Sequence, residues 1–288
     1  MSGKIGFIEF RKKAFLISGA IVLFAAYNIF LGKINWGIDF TGGTVAQIKF
    51  EKKLAITELR EALAEYKPVI QEFSGETSYI LKFSQSEEEQ NLSAEIKDKL
   101  KEKFPENEVT IVRFEMVGPV VGKFLINAAL YAFMGALFGI IFYVALRFKG
   151  SIWGIAAVVA LIHDMVITFG ILCFAGVTVD LIVITGLLFI AGYSVNDTIV
   201  IYDRIRENLK KVERKKTSEI FNDSIKQTLS RTLITSLTTA IVVLCLFFLG
   251  GEIIHNFAAA VLLGIVIGTY SSVFIASPLV YGVVGDGS

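Results

Sequence analysis

Five side chains in otherwise apolar runs carry most of the chemistry in this sequence: His163 and Asp164, Asn196 and Asp197, and Arg231. A charged group at the centre of a membrane-crossing helix costs about 2.5–3.5 kcal/mol or more on insertion, so each needs a partner or a task. An acid in such a place exchanges a proton when the balance between desolvation and a nearby cation changes. Displacing Arg231 against Asp197 would then load or release one. Two plainer readings stand beside this. The acid and the arginine form a static buried pair that fixes helix packing, or the arginine snorkels to the membrane interface. His163 and Asp164 read equally as proton groups or as a pair satisfying their own neighbours.

Helical spacing sorts these residues onto faces. Ala157, Ala160, Asp164 and Thr168 share one stripe, as do Gly186, Ile190, Tyr193, Ser194 and Asp197, while Arg231, Thr235 and Thr238 form a hydroxyl-bearing stripe. Small and polar side chains suit another helix better than lipid, so the three faces are expected to converge on one polar core.

The elements that carry them are apolar helices. Of the 288 residues, 54% are hydrophobic and only 19% charged, too apolar a balance for an ordinary soluble domain. A hydrocarbon core about 30 Å thick needs roughly 20 apolar helical residues. Such runs occur at Ala14–Leu31, Phe124–Leu146, Ile152–Phe174, Leu181–Ile201, Leu233–Leu249 and Phe257–Leu279. The first exceeds the h-region of a signal peptide and reads as a retained anchor. The expected fold is an α-helical polytopic membrane protein of six transmembrane helices with a small α+β extracytoplasmic domain. Its parts are an N-terminal segment 1–13, a first span 14–31, the external domain 32–119, and a five-helix domain 120–288 with a cytoplasmic loop at 202–230.

Lys and Arg cluster before the first span (Arg11, Lys12, Lys13), after the second (Arg147, Lys149) and around the connection from fourth to fifth (Arg204 to Arg231). The opposite connections, 176–180 and 250–256, carry none. The positive-inside rule then puts both termini in the cytoplasm. Within 32–119, strands are expected at Thr44–Phe50, Val69–Phe73, Ser78–Phe83 and Glu108–Val117, the middle pair joined by a turn at Ser74 and Gly75. Helices are expected at Ile56–Tyr66 and Glu87–Lys103, the second opened by a capping box from Ser86 to Glu89. The order βαββαβ points to a ferredoxin-like domain. It has no His or Cys, and its charge runs read as a solvated face, so binding or leverage is the role left to it.

Absences narrow the energy source. No phosphate-cradling G-x-x-x-x-G-K-[ST] loop occurs, and Gly37, Gly42 and Gly43 read as a tight backbone turn. Cys173 and Cys245 lie singly in apolar runs and behave as small hydrophobes. No metal cluster, cofactor, enzymatic activity or nucleic-acid partner is expected. A membrane potential of 100 mV offers about 2.3 kcal/mol per charge, enough to bias a conformational equilibrium.

The motifs resemble a known family. The segment from Trp36 to Thr44, with Gly37, Asp39, Gly42 and Gly43, is similar to the sequence that follows the first span of SecD and SecF proteins. Ala191–Asn208, with Tyr193, Ser194, Asn196 and Asp197, looks like that family's fourth-span signature on the SecF side. Ser230–Thr239 and Gly268–Ser272 match it too. The resemblance implies half of an RND-superfamily transporter that pairs with SecD and associates with the SecYEG channel and YajC. Such a unit draws on the proton-motive force to promote late translocation of preproteins across the bacterial cytoplasmic (inner) membrane. Asp197 and Arg231 match positions implicated in the family's proton pathway. A proton-driven RND-type exporter of small molecules or lipids is the alternative, and it would call for a larger external domain with a substrate cleft. A purely structural assembly subunit would leave the buried polar groups dispensable.

Overall fold

The computed structural model describes residues 6–32, 34–72, 77–83, 89–148, 151–211 and 215–285. Along them run α1 (Arg11–Phe30), α2 (Ile38–Thr41), β1 (Gly43–Phe50), α3 (Ile56–Ala62), β2 (Val69–Glu72), β3 (Ser78–Phe83), α4 (Glu89–Lys103) and β4 (Val109–Val117). There follow α5 (Pro119–Phe148), α6 (Ser151–Phe174), α7 (Leu181–Lys211), α8 (Thr217–Leu249), α9 (Gly251–Ser271), a π-helical turn (Ser272–Ala276) and α10 (Ser277–Val284). Among the described residues, six stretches are long and apolar enough to cross a membrane: Arg11–Phe30, Val120–Phe148, Ile152–Phe174, Leu181–Lys211, Thr217–Leu249 and Ile254–Val284. The chain divides into two compact units, Trp36–Ala129 and Met1–Asn35 with Leu130–Ser288.

In the unit Trp36–Ala129 the four strands pair antiparallel in the order β2-β3-β1-β4, the arrangement of a ferredoxin-like sheet. Alternation decides its buried face: Ala46, Ile48 and Phe50 of β1 and Tyr79, Leu81 and Phe83 of β3 join Leu59 and Leu63 and the α4 residues Leu92, Ile96 and Leu100 in one core. Between Gln47 and Ile48 the register slips against β4, which leaves Val112 as the extra, exposed residue of a bulge. The Glu58 carboxylate accepts from the Ala55 N–H at 3.3 Å and starts α3. The helix expected to run on to Tyr66 ends at Ala62, followed by turns. At the surface, Glu65 beside Lys99 and Glu72 beside Lys53 hold both ammonium groups above the ordinary lysine value by hydrogen bonding. The expected turn at Ser74 and Gly75, the capping box from Ser86 and the end of the strand at Phe73 lie outside the described residues.

The other unit is a helical bundle in which α7 and α9 form the central pair. A Cβ on Gly268 would lie 2.9 Å from the Ser194 side chain, and one on Gly264 would fall onto Ile190. Glycine at these positions lets the two helices touch. Gly170 of α6 does the same for α1, since a Cβ there would fall on Ala25. At one end of the bundle Trp153 lies 6.0 Å from the Phe148 ring and 5.0 Å from Tyr202, with the Arg206 guanidinium 5.5 Å from Phe148. Elsewhere large apolar side chains stay uncovered, among them Tyr131, Phe138 and Phe142 of α5 and Leu233, Leu237 and Phe248 of α8.

Two expectations about the bundle need correcting. The connection expected as a loop over 202–230 is largely helical: α7 continues to Lys211 and α8 starts at Thr217. An apolar run stops at the first charges, but the helix goes on because Glu207 pairs with Arg204 at 2.7 Å and Lys211 at 2.5 Å, while Ile205, Ile220, Phe221 and Ile225 stay buried. The last span is not one regular helix. Pro278 lacks an N–H and would crowd the carbonyl four residues earlier, and the π turn just before it absorbs the mismatch. Ser277 donates its hydroxyl to the Ser272 carbonyl at 2.8 Å.

The buried Tyr79 hydroxyl serves two backbone groups at once, donating to the Leu54 carbonyl at 2.5 Å and accepting from its N–H at 3.0 Å. Tyr79→Phe leaves both without that partner and is expected to destabilise this unit by about 1–3 kcal/mol. Amide exchange measured on the intact protein would show it as faster exchange at Leu54 and along β3, and unchanged exchange there would refute the assignment.

Candidate functional site

Small and hydroxyl-bearing residues bring α6, α7, α8 and α9 around two buried acids. Asp164, in the middle of α6, has 0% of its surface exposed. Its Oδ2 accepts hydrogen bonds from Ser194 Oγ of α7 at 2.5 Å and Ser271 Oγ of α9 at 2.7 Å. Its Oδ1 lies 2.9 Å from Nδ1 of His163. Three helical turns of the expected stripe, Ala157, Ala160 and Thr168, are buried alongside it.

Asp197 has a sparser setting. It is 4% exposed, and its Oδ2 accepts from Ser236 Oγ of α8 at 3.5 Å, the outer limit of a hydrogen bond. Ser236 is held in turn by Thr269 of α9, with 2.8 Å between hydroxyl oxygens. One residue further on α7, Thr198 Oγ1 lies 2.8 Å from Ser272 Oγ in the π turn. Tyr202 then donates to the Ala276 carbonyl at 3.1 Å. The irregular turn thus presents a side-chain hydroxyl and a main-chain acceptor to α7, in keeping with the tendency of π segments to lie at functional sites.

Not every expected residue joins this core. Asn196 is exposed, about 100° around α7 from Asp197. Arg231 is exposed too, and among the described residues no ion pair within 4.0 Å links it to Asp197. The stripe expected on α8, Arg231 with Thr235 and Thr238, is not the buried one. Thr235 and Thr238 return their hydroxyls to their own helix, at 2.9 Å to the carbonyls of Arg231 and Ile234. The buried face is instead Thr228, Thr232 and Ser236, one helical turn apart each. Ser236, Thr269, Ser271, Ser272 and Thr198 were not among the expected site residues. The available signal was hydroxyls at i, i+4 spacing inside apolar runs, with Ser271 and Ser272 adjacent.

The glycine-rich segment has a structural part in its own unit. Gly37 precedes the single turn of α2, which holds Asp39, and Gly42 and Gly43 leave it with φ of 69° and 123°. A Cβ on Gly43 would lie 2.5 Å from the Phe83 carbonyl, so β1 can start flush against β3 only with glycine there. Tyr193 stacks on Phe189 with ring centres 6.2 Å apart, and its buried hydroxyl has no protein partner among the described residues.

The family model described as protein export membrane protein SecD/SecF, C-terminal, matches residues 95–285, and that of the SecD/SecF GG motif matches residues 29–53. The protein translocase subunit SecF of Endomicrobium trichonymphae is 40% identical over 287 residues, covering 96% of this chain and 90% of the relative. The chain belongs to the SecF family. The subunit of that name from Escherichia coli O157:H7 is also 40% identical, over 281 residues, covering 95% of this chain and 86% of the relative. Among solved structures, SecDF of Thermus thermophilus, a translocon-associated membrane protein, is similar with a TM-score of 0.87 at 35% identity. The likeness takes in 98% of this chain and 39% of that longer one. SecDF in its super-membrane-facing form gives a TM-score of 0.69 at 36% identity, over 96% of this chain and 39% of that one. Like other members of the SecF family, the chain is a multi-pass membrane protein. Both acids lie within the SecD/SecF C-terminal match, and Gly37, Asp39, Gly42 and Gly43 within the GG match.

Contact between α7 and α9 is what sets the Ser194 and Ser271 hydroxyls on Asp164. Gly268→Ala pushes Ser194 aside and is expected to lower the stability of the purified protein by about 1–3 kcal/mol, as overpacking does. Gly192→Ala, where a Cβ meets nothing within 4 Å, is the control and should leave the thermal midpoint in detergent unchanged or raised. Equal midpoints for the two variants would show that this helix contact is loose.

Proposed function

We propose that this chain works as the SecF partner of a SecD chain, and that the pair uses the proton-motive force to promote late preprotein translocation beside the SecYEG channel and YajC. The membrane is the bacterial cytoplasmic membrane, with both termini on the cytoplasmic side and the ferredoxin-like unit outside. Membership of the SecF family supports the partnership, and the exposed apolar faces of α5 and α8 leave room for it. The distribution of Lys and Arg supports the orientation.

The observation that carries the mechanism is Asp197: an acid 4% exposed in an apolar helix, with a single long hydrogen bond from Ser236 and no cation within 4.0 Å among the described residues. An acid so weakly held costs little to protonate, and its ionised form gains most from any cation that approaches. Arg231, on the helix that also carries Ser236, is the cation within reach of a movement of α8. In this cycle Asp197 takes a proton from the outer side while Arg231 is turned away, and gives it up when α8 brings the guanidinium near.

Asp197→Asn keeps the shape and removes the charge. Copurification with a SecD-like chain from mild detergent should stay at the unaltered level. The extra preprotein export that an imposed proton gradient gives to vesicles should fall to that of vesicles lacking the chain. Undiminished stimulation by the gradient would refute the role of Asp197.

A further inference from the structure

Asp197 is not the only buried group that can change its charge. We infer that His163, oriented by Asp164, is a second proton-binding position of this chain, with Nε2 of the imidazole as the accepting atom. The inference extends the proton-driven reading above to a second cluster, and its test observes His163 directly, so either can fail without the other.

The geometry assigns the two ring nitrogens different tasks. The Oδ2 of Asp164 is already filled by the Ser194 and Ser271 hydroxyls, at 2.5 and 2.7 Å, which a carboxylate accepts as an ion. Its Oδ1, 2.9 Å from Nδ1, then accepts the imidazole N–H. That fixes the neutral ring in the Nδ1–H tautomer and leaves Nε2 a bare lone pair, as a carboxylate does for any histidine it orients. Nε2 is buried and has no protein partner among the described residues, on a side chain only 9% exposed. A buried nitrogen left open beside a carboxylate whose own partners are all in place calls for a reason, and proton uptake supplies one.

The step balances simply: one proton adds to the Nε2 lone pair, no bond breaks, and the cluster passes from one negative charge to a neutral imidazolium–carboxylate pair. In a medium that penalises net charge, that pairing is what makes a histidine acceptable as a cation. The carboxylate keeps its two serine bonds throughout, so Asp164 is the positioning residue and His163 the carrier.

The charged and ionisable groups on the surrounding helices are engaged elsewhere. From α9, Tyr270 stacks on the imidazole with ring centres 6.4 Å apart, and its hydroxyl is engaged with α1, 3.1 Å from Ser18 Oγ and 3.2 Å from the Ala14 carbonyl. From α7 the ionisable neighbour is Asp197, one turn beyond Ser194, turned to Ser236. The cations of α1 lie at its start, where Arg11 sits over the Tyr281 ring of α10 at 4.7 Å. The π turn contributes one hydroxyl, that of Ser272, and no ionisable side chain. Through Tyr270 the histidine faces α1, whereas Asp197 faces α8, so the two positions lie on different sides of the central pair.

The chain has only two histidines, His163 and His255, which makes the test direct. The full chain, labelled with 15N-histidine and held in lipid nanodiscs, is followed by solid-state NMR from about pH 9 to about pH 5, the range in which a histidine ordinarily changes charge. His163→Gln identifies the signal by removing it. The expected result is a His163 ring that begins with one protonated and one bare nitrogen and ends with both protonated. In Asp164→Asn the doubly protonated signal of His163 should be lost over the same range, while the His255 resonances match those of the unaltered chain. A His163 that keeps one neutral tautomer throughout in the unaltered chain would overturn the inference. So would an identical titration in Asp164→Asn. If Asp164→Asn fails to fold, the titration of the unaltered chain decides alone.

Discussion

A carboxylate sunk among apolar helices must find its hydrogen bonds in its neighbours, because lipid offers none. Asp164 meets this condition with donors from two other helices and one from its own. A serine hydroxyl is short, so α7 and α9 have to come within touching distance of α6 and of each other before Ser194 and Ser271 reach the same oxygen. The glycines at 264 and 268 permit that approach. The π turn follows from a separate demand, Pro278 in the same helix. It sets Ser272 and the Ala276 carbonyl toward α7, one as partner to Thr198 and the other to Tyr202.

The two acids are provided for unequally. Asp164 has three close partners, and Asp197 has one at 3.5 Å. The helix supplying that one, α8, is the more exposed wall of the bundle, with Leu233, Leu237, Val242 and Phe248 uncovered. Arg231 and Ser236 are five residues apart on it, which at 3.6 residues per turn separates them by about 140° around the axis. A rotation of α8 that swings the guanidinium toward Asp197 therefore takes the Ser236 hydroxyl away. The exchange of a neutral donor for a cation is built into the spacing of a single helix.

Much of this was legible in the residues. Span positions followed from apolar runs, and the ferredoxin-like sheet from the alternation of Ala46, Ile48 and Phe50 with Tyr79, Leu81 and Phe83. The stripe holding Asp164 was right because small side chains mark a face that meets another helix. The stripe of Arg231, Thr235 and Thr238 misled for a physical reason: its spacing is helical, but hydroxyls off the buried face bond back to their own carbonyls and say nothing about burial. The helical stretch inside 202–230 was hidden because charged helix formers look like a loop to any criterion based on apolarity. The π turn was hidden because a single proline near the end of a span does not reveal how far upstream the backbone will adjust.

Magnitudes separate what a proton can do at each acid. One charge crossing a potential of 100 mV is worth about 2.3 kcal/mol, and one hydrogen bond to a charged group about 1.5–3 kcal/mol. The work available per proton thus covers the one long bond that α8 makes to Asp197, weaker than a bond of ordinary length, and is well below the three that hold Asp164. A single charge therefore matches the Ser236 bond to Asp197 but not the three bonds that join α6, α7 and α9 at Asp164. A proton that leaves the serine bonds of Asp164 intact binds at the open nitrogen of His163 rather than at the carboxylate itself.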